Sequence, residues 1–344
     1  MASPHQLARK ADIQAWETEL PSMPETRWCR LAMTPIDPAE TAASLAAAED
    51  LGAALVRNLR AMGHLADTRI QGSVAADTHI RDVSDVDLLV LSHKAMTADP
   101  FSLFKLLGGV GSDVTLAQAE KELGKLRRAL DVMVTNLFGA DRVVITGAKA
   151  VRVTAYGNER PIDVVAAGWY DSTSHDPDDP DASRGVRVFD RQVQATSLGW
   201  PFRQLNLIAA RDAESAGGLR RAIRLCKHLA AEAAEEGEAP GLSSFQITGL
   251  LYALEPDALR IGAAPELAIL AGAQAWLAHL VEEPAAVDAL VAPEGGRRLL
   301  PVAKDLAALA NLSKRLTRLA FAVASEVDPV GEGDLSLRLR RAKL

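Results

Sequence analysis

The feature that most constrains this chain is an apolar segment, residues 86–90, with Asp85 directly before it and Asp87 within it. On a β-strand, residues i and i+2 project from the same face, so the two carboxylates point together. Val86 and Leu88 then point the opposite way, into a core. Neighbouring carboxylates repel each other unless a cation lies between them, and Mg²⁺ prefers such hard oxygen ligands. The segment therefore predicts a strand with a core on one face and a cation site on the other.

A Gly-Ser pair lies a short distance before this strand. Gly72-Ser73 follows a predicted strand at 68–71. Glycine lets the backbone approach a phosphate closely, and the serine hydroxyl with nearby N–H groups can bind phosphate oxygens. Together with Asp85 and Asp87, the pair predicts a site for a metal-bound nucleoside triphosphate. The alternative is an ordinary turn beside a strand that carries two surface acids.

A third carboxylate lies in a predicted hairpin further along the chain. Residues 151–156 and 162–166 are rich in β-branched residues, and Gly157-Asn158 between them supplies the turn. Asp163 lies in the returning, otherwise apolar strand. Because an isolated buried carboxylate is costly unless a positive charge accompanies it, Asp163 is the natural third ligand of the metal site.

The order of the elements predicts an α+β fold. A helix is expected over residues 38–62, where Asp37 is an N-cap before a proline. From residue 202 the apolar spacing is helical throughout. We therefore expect a mixed-sheet core over residues 1–201 and a helical lobe over 202–344, with the active site in the cleft between them.

Composition excludes several classes of protein. The 344-residue chain has a formal net charge of -7 and an isoelectric point near 5.6, which argues against a protein that coats duplex nucleic acid. Its two cysteines lie far apart and outside any Cys-x-x-Cys pattern, so a zinc ribbon is not expected. So few cysteines are typical of a protein in the reducing cytoplasm. The longest apolar run, residues 267–281, is too short to cross a bilayer. A cytoplasmic protein without a membrane partner is the expectation.

The helical half carries two further groups of candidate binding residues. Arg220, Arg224 and Lys227 share one helix face by spacing, and a triphosphate needs cations, although such a stripe is often only a solvated face. Ser244 and Phe245 open the next predicted helix. A helix N-terminus attracts anions and an aromatic ring can stack on a base. The alternative there is a serine cap followed by a core phenylalanine.

These segments together resemble a known superfamily, the DNA polymerase β-like nucleotidyltransferases. Within it they resemble the bacterial cGAS/DncV-like nucleotidyltransferases, the CD-NTases of antiphage signalling. The resemblance covers about residues 40–255. It rests on the runs 71–80, 84–90, 161–166, 224–227 and 242–245.

The resemblance implies a role for each candidate residue. Two Mg²⁺ ions, for which Mn²⁺ can substitute, would be held by Asp85, Asp87 and Asp163. The nucleotide would be bound by Gly72 and Ser73 at the donor triphosphate, by Lys227 and Ser244 at its outer phosphates, and by Phe245 at a base. One departure is Ala76-Asp77, because relatives often carry a glycine just before the threonine.

The resemblance also implies an activity. It predicts an enzyme that joins nucleoside triphosphates into cyclic or short linear oligonucleotide second messengers, releases pyrophosphate, and signals to a downstream effector that senses the product. The sequence has no Cys/His zinc insertion, so activation by long duplex DNA is not expected. Two alternatives stay open: transfer of a nucleotide to a macromolecule such as tRNA or protein, and a catalytically idle nucleotide-binding protein.

Overall fold

The computed structural model describes residues 23–81, 84–102, 113–154, 160–173, 178–238, 241–260, 262 and 264–343. These residues fall into two compact units. One unit is Ile36–Asn206, and the other combines Met1–Pro35 with Leu207–Leu344. The division into domains at residue 201 stays a prediction.

The described elements follow the order expected from the sequence: every strand lies before residue 201, and helices alone follow it. The helices are α1 (Pro24–Met33), α2 (Pro38–Ala61), α3 (Gly72–Ala75), α4 (Leu116–Phe138), α5 (Pro201–Glu214), α6 (Gly218–Glu235), α7 (Ser244–Tyr252), α8 (Pro265–Glu282), α9 (Pro284–Asp288), α10 (Ala303–Val327) and α11 (Leu335–Arg341). The strands are β1 (Ala66–Gln71), β2 (Val86–Ser92), β3 (Thr97–Ala98), β4 (Val143–Val144), β5 (Ala150–Val153), β6 (Ile162–Asp171), β7 (Arg184–Asp190) and β8 (Ala195–Gly199).

The described strands form one mixed sheet. Its main path runs β1-β2-β6-β5-β4, while β3 and β7 also pair with β6, and β8 pairs with β7. The β2–β6 pair is parallel, whereas β1–β2 and β5–β6 are antiparallel. A parallel pair needs a long crossover, and α4 lies in the chain between β2 and β6. The mixed sheet and the predicted hairpin pairing are confirmed; the turn Gly157-Asn158 lies outside the described residues.

The two faces of the sheet bury different side chains, because alternate residues of a strand point to opposite sides. Leu88 and Val90 of β2 pack in one core together with buried residues of α2 and α4, such as Leu55 and Leu130. The other face is covered by a smaller core that includes Leu89, Leu91, Val165, Trp169 and Phe202. Asp87 and Asp163 alternate in step with Leu89 and Val165, so they lie on this second face.

The start of α2 follows from local chemistry. The Asp37 side chain accepts a hydrogen bond from the Ala39 N–H at 2.7 Å, and Pro38 occupies the first turn. Proline is favoured there because the first N–H groups of a helix have no partner within the helix. The helix predicted over residues 38–62 is confirmed. It packs against one face of the sheet, as α4 does.

The helical unit has its own core. Helix α8 buries most of its residues from Leu267 to Leu280 and packs against α10 and α11. The apolar run that the sequence contains here is therefore a core helix of this unit. In the part of the chain that the structure describes, no helix combines the length and the apolar character needed to traverse a bilayer.

Candidate active site

A row of polar side chains crosses the sheet where β2 and β6 begin. The strand register places Asp87 opposite Asp163, with Gln71 on the far side of Asp87 and Arg152 on the far side of Asp163. Because residues in direct register share a face, these four side chains lie side by side. Asp85 directly precedes β2, one residue outside the strand, and is half-buried like Asp87 and Asp163. The structure thus brings together the three acids that the sequence singled out.

Gly72 lies against one of these acids. Its φ of +80° is in the left-handed region, and a Cβ added to it would stand 1.9 Å from Oδ2 of Asp87. Only glycine combines that backbone conformation with so close an approach. The sequence predicts that Gly72 lets the backbone approach a phosphate. The structure adds a second reason, which is room for the Asp87 carboxylate.

The loop after Gly72 keeps its turn without the glycine that relatives often carry. Asp77 has φ of +52°, the left-handed conformation that aspartate tolerates better than most residues. The next residue, Thr78, donates its N–H to the Ser73 carbonyl oxygen at 2.9 Å. Ser73 itself is half-buried at the start of α3, next to Gly72. Aspartate therefore adopts at this turn the left-handed backbone conformation that glycine takes most easily.

Arg152 bridges two of the acids, and sequence reasoning missed it. Its Nε donates to Oδ1 of Asp163 at 2.9 Å, and its Nη2 donates to Oδ2 of Asp163 at 3.2 Å. The same Nη2 also donates to Oδ2 of Asp85. One guanidinium thus connects the carboxylate of Asp163 in β6 with that of Asp85, the residue directly before β2.

Two groups of this site, Asp85 and Arg152, have shifted pKa values. Burial raises the pKa of Asp85 above its ordinary value, the Arg152 guanidinium works in the opposite direction, and the neighbouring Asp163 carboxylate adds to the rise. The pKa of Arg152 is raised, chiefly by its hydrogen bond to Asp163. Arg152, with a smaller contribution from Arg160, therefore supplies positive charge that offsets the effect of burial on Asp85.

The donor set suits a divalent metal. Three carboxylates offer the hard oxygen ligands that Mg²⁺ prefers. Among the described residues, however, no three His, Cys, Asp or Glu side chains converge tightly enough to enclose an ion. The three carboxylates are therefore the right chemical type for Mg²⁺. Two of them, Asp85 and Asp163, accept hydrogen bonds from Arg152.

A second arginine supports the loop that leads into β2. Arg160 is buried, and its Nη1 donates to the backbone oxygens of Ser84 at 2.9 Å and Ile80 at 3.4 Å. Its Nη2 donates to Oε1 of Glu40 on α2 at 3.0 Å. Ser84 directly precedes Asp85, so Arg160 connects α2 to the segment that positions the first acid.

Replacing Arg160 by methionine is expected to lower the free energy of unfolding by about 2 kcal/mol, because it leaves buried carbonyl groups and Glu40 without this donor. Urea denaturation measures the effect. Arg69→Met is the matched control, since the ion pair of Arg69 with Asp181 is largely exposed and should contribute less than about 1 kcal/mol. Equal losses in the two variants would show that Arg160 contributes no more than a surface ion pair.

The three basic residues that the sequence singled out in the helical unit lie on α6, and two of them are buried. Arg224 and Lys227 are each only 4% exposed, and Nε of Arg224 donates to the Met33 carbonyl oxygen at 3.0 Å. Arg220 forms an ion pair with Asp212 at 3.1 Å. The three residues therefore do not form the solvated stripe that was the alternative interpretation. The role of Lys227 in binding phosphate stays a prediction.

Ser244 and Phe245 open α7 in the same unit. Ser243 caps the helix, with its hydroxyl accepting from the Gln246 N–H at 3.3 Å, which leaves Ser244 exposed in the first turn. Phe245 is half-buried, and the Arg297 guanidinium lies 4.0 Å from its ring centroid. An arginine on an aromatic face is a cation–π contact. One face of Phe245 is therefore already covered, which the sequence did not indicate.

Comparison with known proteins finds relatives of the enzyme class that the sequence predicts. No family model matches the chain. A cyclic dinucleotide synthase, CdnE, from Yersinia aleksiciae is 27% identical over 314 residues, which cover 91% of this chain and 80% of that protein. A c-di-GMP synthase from Lachnospiraceae bacterium (strain RUG226) is 27% identical over 203 residues, 54% of this chain and 57% of that protein.

The fold is shared with a solved structure. The STING-associated CdnE c-di-GMP synthase from Capnocytophaga granulosa superposes with a TM-score of 0.70 at 22% identity, covering 91% of this chain and 92% of that one. The fold expected from the sequence, a polymerase β-like core with a helical lobe, is confirmed. The two sequence relatives are cyclic dinucleotide synthases, and they support the resemblance to the cGAS/DncV-like nucleotidyltransferases that the sequence motifs indicate.

Proposed function

We propose that this enzyme joins nucleoside triphosphates into a cyclic oligonucleotide, using divalent metal at Asp85, Asp87 and Asp163. The observation that carries the proposal is the register that places Asp87 directly opposite Asp163, with Asp85 two residues before Asp87 on the same face. The synthases to which the chain is similar make cyclic dinucleotides, which supports the same class of product.

The proposed step is nucleotidyl transfer. A ribose hydroxyl oxygen of one nucleotide forms a bond to the α-phosphorus of another, the bond from that phosphorus to the β-bridging oxygen breaks, and pyrophosphate leaves with the electron pair. The hydroxyl proton passes to Asp163 or to water. A second transfer within the linear intermediate closes the ring and releases a second pyrophosphate.

Each residue has a stated part in this step. Two Mg²⁺ ions, or Mn²⁺ in their place, would lower the pKa of the attacking hydroxyl and neutralise the leaving oxygens when bound to the three acids. Gly72 and Ser73 would bind the donor triphosphate. Lys227 and Ser244 would contact its outer phosphates, and Phe245 would stack against a base on the ring face that Arg297 leaves open. The remaining catalysis is positioning and electrostatic stabilisation.

The product is proposed to act as a second messenger in antiphage signalling, read by a downstream effector. Support comes from the c-di-GMP synthase of Capnocytophaga granulosa, which has a similar fold and is described as STING-associated. The proposed effector is a protein that binds a cyclic oligonucleotide with two or more phosphodiester groups.

The decisive experiment incubates the purified protein with the common nucleoside triphosphates, each radiolabelled at the α-phosphate, with Mg²⁺ or Mn²⁺. Phosphatase treatment then removes terminal phosphates. A small labelled product that resists phosphatase is expected, because every phosphate of a ring is a diester.

The Asp85→Ala/Asp87→Ala double variant is the control and should give no such product. Label that appears instead on added RNA or protein would favour the macromolecular-acceptor alternative. Product formed equally by the double variant would contradict the proposed site.

A further inference from the structure

The acids of the candidate site have a cation of their own in this structure. Arg152 lies directly opposite Asp163 in the β5–β6 ladder, so its position is set by the backbone register as well as by side-chain attraction. Its guanidinium holds both oxygens of Asp163 and one oxygen of Asp85. A guanidinium stays protonated at every pH at which proteins fold, so this positive charge is permanent.

These hydrogen bonds each use one lone-pair direction of a carboxylate oxygen, and they place a positive charge beside the acids that a metal would bind. A planar guanidinium matches a carboxylate with two parallel N–H···O bonds, and both oxygens of Asp163 are engaged in this way. Mg²⁺ requires carboxylate oxygens at about 2.0–2.1 Å in near-octahedral geometry. A metal that binds these oxygens therefore competes with the guanidinium for their lone pairs and is also repelled by its positive charge.

Arg152 is also able to leave. Its side chain is 41% exposed, whereas those of Asp85 and Asp163 are 24% and 18% exposed. The buried arginine nearby, Arg160, is fixed instead by backbone carbonyls and Glu40. Arg152, which binds the site acids, can therefore swing into solvent, whereas Arg160 is held in place.

We propose that Arg152 is the counter-cation of the metal-free site and that divalent metal binds Asp85 and Asp163 by displacing its guanidinium. The proposal rests on the proposed function, in that it takes these acids as the metal ligands. Arg152 is then a positioning residue: it keeps two like charges together before metal arrives, and it sets how tightly metal binds in the absence of substrate.

The test is Mn²⁺ binding to the free protein, followed through the electron paramagnetic resonance signal of unbound Mn²⁺, with no nucleotide present. Arg152→Met removes the competing charge and should tighten Mn²⁺ binding about tenfold, the equivalent of one charged hydrogen bond. Arg191→Met is the matched control, because Arg191 is 38% exposed and pairs with Asp131 outside the row. Its Mn²⁺ affinity should equal that of the unaltered protein.

Thermal unfolding gives a second readout. Without Arg152 the two carboxylates repel each other, so the unfolding midpoint in metal-free buffer should fall and added Mn²⁺ should raise it further than in the unaltered protein. Arg152→Lys keeps the charge but not the bidentate pair, and its Mn²⁺ affinity should lie between the two. This variant keeps the test decisive if Arg152→Met does not fold.

Unchanged or weaker Mn²⁺ binding in Arg152→Met and Arg152→Lys would overturn the inference. Asp87→Asn separates this failure from failure of the proposed function. If Mn²⁺ binding depends on Asp87 but not on Arg152, the metal site stands and only the displacement is wrong. If Mn²⁺ binding depends on neither residue, the proposed metal site is wrong and the inference falls with it.

Discussion

Replacing Asp87 by asparagine is expected to lower the turnover number for nucleotidyl transfer by at least about 10³-fold. Asparagine has nearly the same shape as aspartate but lacks the charge that a divalent metal requires. Asp87 lies directly opposite Asp163 and against Gly72, and no neighbouring carboxylate can take its place there. Steady-state production of pyrophosphate measures the effect.

The matched control is Asp67→Asn on the neighbouring strand β1. Asp67 is half exposed and contacts His93 at 2.9 Å, outside the acid row, so its loss should leave turnover unchanged. In metal-free buffer Asp87→Asn should melt no lower than the unaltered protein, because removing one of several like charges relieves repulsion. Turnover within tenfold of the unaltered enzyme would mean that Asp87 is not a metal ligand.

The second large effect is expected from Gly72→Ala. The added methyl group would meet Oδ2 of Asp87 at 1.9 Å, so either the backbone or the carboxylate must move. A displacement of this size at a reacting centre costs about 10²-fold in rate. The left-handed conformation, with φ of +80°, adds a stability cost of about 1–2 kcal/mol for a residue with a Cβ. Turnover number and urea denaturation measure the two effects separately.

Gly63→Ala is the control that isolates the contact with Asp87. Gly63 has nearly the same φ, +77°, but nothing lies within 4 Å of the position of an added Cβ. It should lose about as much stability through backbone strain and retain full activity. If Gly72→Ala behaved like Gly63→Ala in both measurements, the close approach to Asp87 would have no catalytic importance.

The acids were predictable from sequence because strand periodicity alone decides which side chains share a face. Asp85 and Asp87 alternate with Val86 and Leu88, and the structure keeps that alternation even though β2 begins one residue after Asp85. Asp163 was predictable because a lone carboxylate in an apolar strand needs a positive partner. That partner was expected to be metal alone, whereas the structure shows an arginine.

Arg152 was missed although the sequence contained the signal. It lies five residues before Gly157, and Asp163 lies five residues after Asn158, so counting outward from a two-residue turn pairs them. The observed register is the one that this count gives. A charged residue within a predicted strand does not by itself name its partner, which becomes visible only when the hairpin register is followed across the turn.

The burial of other basic residues could not be predicted in this way. Spacing along a helix shows that Arg224 and Lys227 share a face, but not that another helix covers that face. Arg160 gives no local signal either, because its partners Ser84 and Glu40 are far from it in the chain. Such burial depends on tertiary packing, which sequence periodicity does not contain.

The parallel pairing of β2 with β6 also determines when the enzyme can become active during its synthesis. Asp85 and Asp87 leave the ribosome well before Asp163, since the whole of α4 and the strands β3, β4 and β5 are made between them. Contacts between distant segments form late, because the intervening chain must first be closed into a loop. A chain interrupted before Ile162 would carry two acids, no Arg152–Asp163 pair and no completed sheet. If Asp85, Asp87 and Asp163 hold the metal as proposed, nucleotide joining has to wait until β6 has been made and inserted into the sheet.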